Sequence, residues 1–276
     1  MPWIVPSHQA PVLPLKAWRP AWFSGLGLVL GSVTPDLVFI FSLDPLGSPA
    51  SHTFAGQLYL TTPLVLALHR ALTELALPWL LPHLPDGAPL HLHALARSRP
   101  ARSVAETARV AFSGLLGGLT HVTIDGFTHG DHSGWALAFL PVLATPVPLP
   151  LGPAPLHDVL QVVLTLVLGW LGLRQWGRMA RALPAPGPGA AAVWEVRPAP
   201  ARARRRVWRT LLLAALVGVL AGPLLRNAFG TPDALKLAAY GAVTVSFVAV
   251  LFGALADRAA RALGRVRLDL ARGLEG

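Results

Sequence analysis

The sequence LKLAAYGAVTVSFVAVLFGALA occupies residues 235–256 and contains one charged side chain, Lys236, near its start. About 20 mainly apolar residues are enough for a helix to cross the hydrocarbon core of a bilayer. Five further apolar stretches precede it in the chain. They lie at about 22–43, 57–80, 108–127, 156–173 and 207–226. The sequence therefore predicts an all-α protein, a polytopic membrane helical bundle with about six spans.

The composition of the whole chain agrees with a membrane protein. Of its 276 residues, 53% are hydrophobic and 13% are charged, whereas a soluble domain carries roughly 25% charged residues. A disordered chain needs low hydrophobicity and high charge, so that class is excluded. The chain has no cysteine, which excludes disulfides and thiol chemistry. All but two of the 23 basic residues are arginine, which we interpret as the signature of a GC-rich bacterial genome.

The basic residues are distributed unevenly among the segments that join the apolar stretches. Arginines lie between the second and third stretches, between the fourth and fifth, and after the sixth, while Lys16 and Arg19 precede the first. The alternate loops, at about 44–56, 128–155 and 227–234, contain no lysine or arginine. Because loops rich in basic residues stay in the cytoplasm, we expect a bacterial inner-membrane protein with both termini cytoplasmic. We expect no cleaved signal peptide, since no cleavage site follows the first apolar run.

Low-complexity and basic segments divide the chain. Proline, alanine and glycine dominate residues 184–201, as in an extended linker. The first span contains Pro35, which lacks an N–H donor and clashes with the preceding turn, so we predict a break at Pro35-Asp36. The predicted regions are a membrane domain with the polar motifs at 1–175, a cytoplasmic linker at 176–206, a transmembrane hairpin at 207–257 and a basic cytoplasmic tail at 258–276.

One polar motif interrupts the third apolar stretch, and it reads THVTID over residues 120–125. Side chains four residues apart lie on the same face of a helix. His121 and Asp125 can therefore offer an imidazole nitrogen and a carboxylate to one divalent cation. Such ligands suit Zn, Mn or Fe, and ionisable side chains inside apolar segments are costly and usually functional. The motif predicts a metal site, with hydrogen bonding between helices as the alternative.

Four more side chains in short polar motifs are candidates for the same site: His8, Asp36, His52 and His129. Each has a structural alternative, since a histidine can bond a backbone carbonyl and an aspartate can cap a helix. A straight span would separate His8 from Asp36 by roughly 20 Å. His8 therefore joins the site only if residues 3–20 form a short apolar helix that folds back into the bundle, and we predict that arrangement.

Four short motifs, taken in their order along the chain, resemble those of a known family. The chain is similar to a family of bacterial multi-pass membrane proteins that is catalogued as a domain of unknown function, and the similarity covers about residues 1–175. The motifs that carry it are PSHQAPVLPL at 6–15, LGSVTPD at 30–36, SHT at 51–53 and the run from Gly118 to His129.

A more distant resemblance lies in the order of the histidines and aspartates. This order is similar to that of membrane-bound metal-dependent hydrolases of bacteria. More remotely, it resembles the superfamily of zinc-dependent phospholipase C and related nucleases, all-α proteins whose zinc cluster hydrolyses phosphate esters. The ligands that this resemblance implies are His8, Asp36, His52, His121, Asp125 and His129. The chain departs from the superfamily in two ways. Those enzymes use a tryptophan at the mature N-terminus, whereas Trp3 here follows Met1 and Pro2, and the pair His157-Asp158 lacks their later spacing His-x-x-x-Glu/Asp. The resemblance therefore implies one or two metal ions rather than three.

Three functions are compatible with the sequence. The first is an integral-membrane metal-dependent hydrolase of a phosphoester or lipid-linked substrate, with zinc, manganese or iron as cofactor. Asp125 and Asp36 would then orient water or bridge metals. The second is a transporter that uses the cluster as an ion path, and the third is a structural protein in which the cluster joins helices. We expect membrane lipids as partners, with anionic headgroups near the arginines of 202–209, and no nucleic acid.

Overall fold

The computed structural model describes residues 7–40, 50–84, 92, 94, 95, 97–130, 133–150, 152–182, 198–221 and 234–274. Its fold is all-α, as predicted, and each predicted apolar stretch overlaps one of its helices. The helices are α1 (Leu13–Trp18), α2 (Gly25–Ile40), α3 (Phe54–His83), α4 (Val104–Thr128), α5 (Leu156–Ala182), α6 (Ala201–Ala221) and α7 (Ala234–Leu274). A short antiparallel ladder pairs β1 (Pro146–Val147) with β2 (Ala154–Pro155). Residues 183–197 of the predicted linker lie outside the described part of the chain.

Three helical segments of the described residues are long and apolar enough to cross a membrane. They are Phe54–His83, Leu156–Ala182 and Gly241–Leu263, and Gly25–Val38 is a shorter apolar helix. On α5, large apolar side chains such as Leu166 and Trp170 are exposed, as expected for a helix whose outer face meets lipid. The helices thus support association with a membrane. The count of six spans, the choice of membrane and the cytoplasmic termini stay predictions.

The predicted break at Pro35-Asp36 is corrected by the structure, because α2 continues through Pro35 as far as Ile40. Proline inside a helix removes one backbone hydrogen bond and is unfavourable by about 3 kcal/mol. Packing against α4 offsets this cost, since Gly31 lies so close to Gly114 that a Cβ at position 31 would collide with the backbone. Local propensity alone therefore gives the wrong end for this helix.

Contacts divide the chain into two units, of which the first contains residues 1–70 and 100–185. Residues 7–18 of its N-terminal segment fold back against α2, as predicted, while residues 3–6 of the predicted fold-back lie outside the described residues. Val12 packs in a buried cluster with Phe23 and Leu28. This segment, α2 and α4 together form the surroundings of the polar motifs.

The second unit contains residues 71–99 and 186–276. Here α6 packs closely on α7, because Gly218 faces the backbone of Gly241 without a side chain between them. The end of α3 also contacts α7, where the ring of Trp79 lies against Gly253. This unit is therefore a helical assembly with its own close contacts.

Candidate metal centre

Helix α4 presents His121 and Asp125 on its buried face. The helix begins with a capping box in which the side chains of Ser103 and Glu106 each accept a hydrogen bond from the other residue's backbone N–H, so the local sequence fixes its start. His121 and Asp125 are 0% and 1% exposed. The Nε2 atom of His121 lies 3.1 Å from Oδ2 of Asp125, and the two side chains share one face, as their spacing predicts.

Two other segments bring an aspartate and a histidine to the same point. Asp36 comes from α2 and His52 from a single helical turn, Ala50–His52, and they are 2% and 4% exposed. The Nε2 atom of His52 lies 3.4 Å from Oδ1 of Asp36 and 3.3 Å from Oδ2 of Asp125. It is 3.3 Å from Nε2 of His121, which lies 3.7 Å from Oδ1 of Asp36. The four side chains are therefore buried together.

The four donor atoms have the spacing of metal ligands. A tetrahedral cation with bonds of about 2.0–2.1 Å separates its ligand atoms by about 3.3–3.4 Å. The five separations given above range from 3.1 to 3.7 Å, and all four atoms lie within 4.8 Å of one another. The group Asp36, His52, His121 and Asp125 could therefore hold a metal ion.

The two carboxylates at the centre need a positive partner. Both oxygens of Asp36 and of Asp125 are buried, and within the described ranges no group donates them a well-aligned hydrogen bond. Burying an ionised carboxylate without such a partner is strongly unfavourable. The imidazole nitrogens approach these oxygens at 3.1–3.7 Å without the alignment of a hydrogen bond. A cation shared by all four groups would satisfy this arrangement.

The imidazoles of His121 and His52 each have a second partner, which contacts the Nδ1 atom and orients the ring. The Nδ1 atom of His121 donates a hydrogen bond to the backbone carbonyl of Ser32 at 2.9 Å, which leaves the lone pair of Nε2 for a cation. The Nδ1 atom of His52 lies 3.1 Å from Oγ of Ser51. Metal-bound histidines almost always use their other ring nitrogen in this way, because the bond fixes the tautomer and the direction of the ring.

Gln57 supports the turn that carries His52, and it is not among the residues predicted from the sequence. Its Nε2 donates to the backbone carbonyl of Ser51 and lies 3.4 Å from that of Thr53. The side chain is fully buried and its Oε1 faces Gly118 of α4. The signal in the sequence is an amide side chain at the start of an apolar stretch, where a buried polar group must find partners.

His8 and His129 lie on the outer side of Asp125. Oδ1 of Asp125 is 3.8 Å from Nε2 of His8 and 3.7 Å from Nδ1 of His129, and the two imidazoles are 14% and 11% exposed. The ring of His8 stacks on that of His121 with centroids 4.2 Å apart, so the N-terminal segment reaches the centre. The Nε2 atom of His129 faces the amide of Gln161 at 3.2 Å. The ligand roles of His8 and His129 stay predictions.

Two histidines of the centre that lie outside the spans, His8 and His52, have opposite pKa shifts. Burial favours neutral His52, but the nearby carboxylates of Asp125 and Asp36 outweigh it and raise the pKa to about 9. Burial, followed by the neighbouring His121, lowers the pKa of His8 to about 4. At neutral pH, without a cation, His52 is therefore protonated and His8 is neutral.

One protein family covers both units. Residues 1–258 match the family described as Domain of unknown function (DUF4184). The chain belongs to the DUF4184 family. The match includes much of α7, so it extends beyond residues 1–175, where the motifs predict it. No match to the chain is found among curated proteins or among solved structures. The similarity to metal-dependent hydrolases and to the phospholipase superfamily stays a prediction.

His157 and Asp158 of this DUF4184 chain have a different environment from the centre. They begin α5, where the acidic side chain lies in the first turn and favours the helix start. The Nδ1 atom of His157 donates to the backbone carbonyl of Leu143 at 3.0 Å. Asp158 is 55% exposed, so this pair provides a useful comparison for the buried ligands.

Proposed function

We propose that this protein is an integral-membrane metalloenzyme that hydrolyses a phosphoester or lipid-linked substrate at the buried His/Asp centre. The observation that carries the proposal is the set of four donor atoms at separations of 3.1–3.7 Å, two of them from carboxylates without other hydrogen-bond partners among the described residues. A cation in this centre would supply Lewis acidity, and with one coordination position open to water it would also supply a nucleophile near neutral pH. Zinc is the proposed ion, since tetrahedral nitrogen and oxygen donors are typical of it, with manganese and iron as alternatives.

We also propose an outer metal position that Asp125 bridges to the inner one. Its Oδ2 faces His52 and His121, while its Oδ1 is buried, lacks a donor among the described residues and faces His8 and His129. Paired metals about 3.5–4 Å apart stabilise both the attacking and the leaving oxygen of a displacement. The outer position would complete the set of six predicted ligands.

The exposed side of the centre gives the direction of substrate approach. The side chains of His8 and His129 are 14% and 11% exposed, whereas the side chains of the inner four residues are buried. Substrate would therefore arrive beside these two imidazoles, next to Oδ1 of Asp125. In this arrangement Asp125 and Asp36 hold and orient the attacking water, and burial keeps bulk solvent from the inner ligands.

The burial of the inner ligands also supports a second candidate, a structural metal. Four protein ligands that leave no open position are typical of structural zinc sites. Such an ion would join α2, α4 and the turn Ala50–His52. In that case metal removal lowers the stability of the fold, and no hydrolysis depends on it.

The metal is tested first with a matched pair of variants. The protein is purified in detergent without a metal-affinity tag, and its metal content is measured by elemental mass spectrometry. We expect at least one equivalent of zinc, manganese or iron in the parent and in Asp158→Asn, and loss of the inner ion in Asp125→Asn. A folded parent that stays metal-free after incubation with each ion would contradict both candidates. A drop from two equivalents to one in His8→Ala would support the outer position.

Hydrolysis is tested on the metal-loaded parent with bis(p-nitrophenyl) phosphate and with phospholipid in mixed micelles. We expect phosphate-ester cleavage that a chelator abolishes and added zinc restores. A parent that binds the ion, loses stability on chelation and cleaves neither substrate would favour the structural metal over the hydrolase.

A further inference from the structure

A basic pocket of about 460 Å³ lies in the second unit. Its lining consists of His83, Ala201, Arg204, Arg205, Trp208, Arg209 and Leu212. All but His83 belong to the first three turns of α6, and the volume is within the range of small-molecule sites, about 300–1,000 Å³. The pocket is therefore large enough for a compact polar group.

The charges of the pocket are of one sign. Arg205 and Arg209 are four residues apart, so they lie on one face of α6, where like charges are unfavourable unless an anion offsets them. No acidic side chain is among the lining residues. The planar guanidinium group of arginine matches phosphate oxygens with two parallel hydrogen bonds. The lining thus selects a phosphate group over a neutral ligand.

An apolar surface continues from the pocket along the same helix. Trp208 is fixed at the pocket by a hydrogen bond from its Nε1 to the backbone carbonyl of His83, 2.8 Å long. Leu212 and Leu216 follow at four-residue spacing and are 67% and 53% exposed. Tryptophan beside exposed leucines is typical of the boundary between headgroups and acyl chains. A free phosphate would use the arginines and leave this apolar surface uncovered.

We propose that the pocket binds the phosphate headgroup of an anionic phospholipid, with the acyl chains along the exposed leucines of α6. This site would contribute a defined lipid position, beyond the general attraction of basic segments to anionic membranes. Arg205 and Arg209 bind the headgroup phosphate, and Trp208 packs against the glycerol region.

The test is native mass spectrometry of the full-length protein in mild detergent with phosphatidylglycerol or neutral phosphatidylcholine. We expect the parent to retain phosphatidylglycerol about tenfold more strongly, from charge-assisted hydrogen bonds. Arg205→Gln/Arg209→Gln should lose this preference. The control Arg202→Gln/Arg206→Gln removes the same charge from exposed residues of the same helix that do not line the pocket, and it should keep the preference.

Three outcomes would overturn the proposal. Equal loss in the two double variants would show diffuse attraction rather than a pocket, and a parent without a preference would show no anionic site. Displacement of phosphatidylglycerol by an equal concentration of inorganic phosphate would show a free-phosphate site instead of a lipid site. Circular dichroism of both double variants confirms that each retains the helical content of the parent, so that a loss of binding reports on the pocket.

Discussion

The Nδ1 atom of His121 on α4 lies 2.9 Å from the backbone carbonyl oxygen of Ser32 on α2. Pro35 follows three residues later inside the same helix, and it has no N–H to donate to the carbonyl of Gly31. The carbonyl of the next residue, Ser32, accepts the bond from His121 of the neighbouring helix. Pro35, which predicts a helix end from the sequence, thus lies in the same turn of α2 as the Ser32 carbonyl that orients the proposed ligand His121.

This contact predicts the tautomer of His121. We expect the ring to carry its proton on Nδ1 and to leave Nε2 deprotonated in the metal-loaded protein, because a carbonyl can only accept. Long-range ¹⁵N–¹H correlation spectra of the labelled protein, with His121→Gln to assign the signals, distinguish the two tautomers. A proton on Nε2 of the loaded protein would exclude His121 as a ligand through that atom.

The close approach of α2 and α4 predicts that Gly31→Ala disturbs the centre. The added Cβ would collide with the backbone of Gly114, and overpacking of this kind lowers stability by about 1–3 kcal/mol. Because the two helices carry Asp36 and His121, we expect a lower thermal midpoint together with a lower metal content.

Gly169→Ala is the matched control for this substitution. A Cβ at Gly169 on α5 meets nothing within 4 Å, and alanine is the better helix former by about 1 kcal/mol. We expect unchanged metal content and an equal or higher thermal midpoint. If both variants lose the metal to the same extent, close packing of α2 on α4 is not what positions the ligands.

Metal affinity is expected to rise with pH. In the metal-free protein the pKa of His52 is raised to about 9, so at pH 7 a cation must displace a proton from this ligand. Proton binding to His52 stabilises the metal-free fold at low pH, and this contribution disappears as the pH rises through about 9. The cation competes with that proton, so it binds best at high pH. We expect about tenfold tighter binding per pH unit below this value.

Titrations at pH 6, 7 and 8 with a competing chelator measure this dependence. Calorimetry in two buffers of different ionisation enthalpy reports the released proton directly. An affinity that does not change over this range would mean that no protonated ligand takes part.

Gln57→Ala is expected to weaken metal binding although the residue is not a ligand. Its side chain holds the carbonyl of Ser51, beside His52, and loss of such supporting groups typically lowers metal affinity about 10–100-fold. Gln175→Ala, a glutamine of α5 that is partly buried, should keep the parent affinity. Equal affinity in the parent and Gln57→Ala would show that the turn is held by other contacts.

The sequence predicts most of the helices and part of the centre. Apolar runs locate α2 to α7, and the helical period places His121 and Asp125 on one face. The convergence of Asp36 and His52 on that face depends on glycine contacts between helices, which no local pattern encodes. For the same reason the sequence does not predict that α2 continues through Pro35, because packing against α4 determines its surroundings.

The centre also has a consequence for biogenesis. His121 bonds to a carbonyl 89 residues earlier and meets His52 69 residues earlier. At about 5–20 residues per second, Asp36 and His52 leave the ribosome several seconds before α4 does. During that interval an apolar segment carries a carboxylate that is costly at membrane depth. Arrival of α4 during translation is thus the step at which the nascent chain first acquires the complete set of proposed inner ligands, and delivery of the proposed metal would follow it.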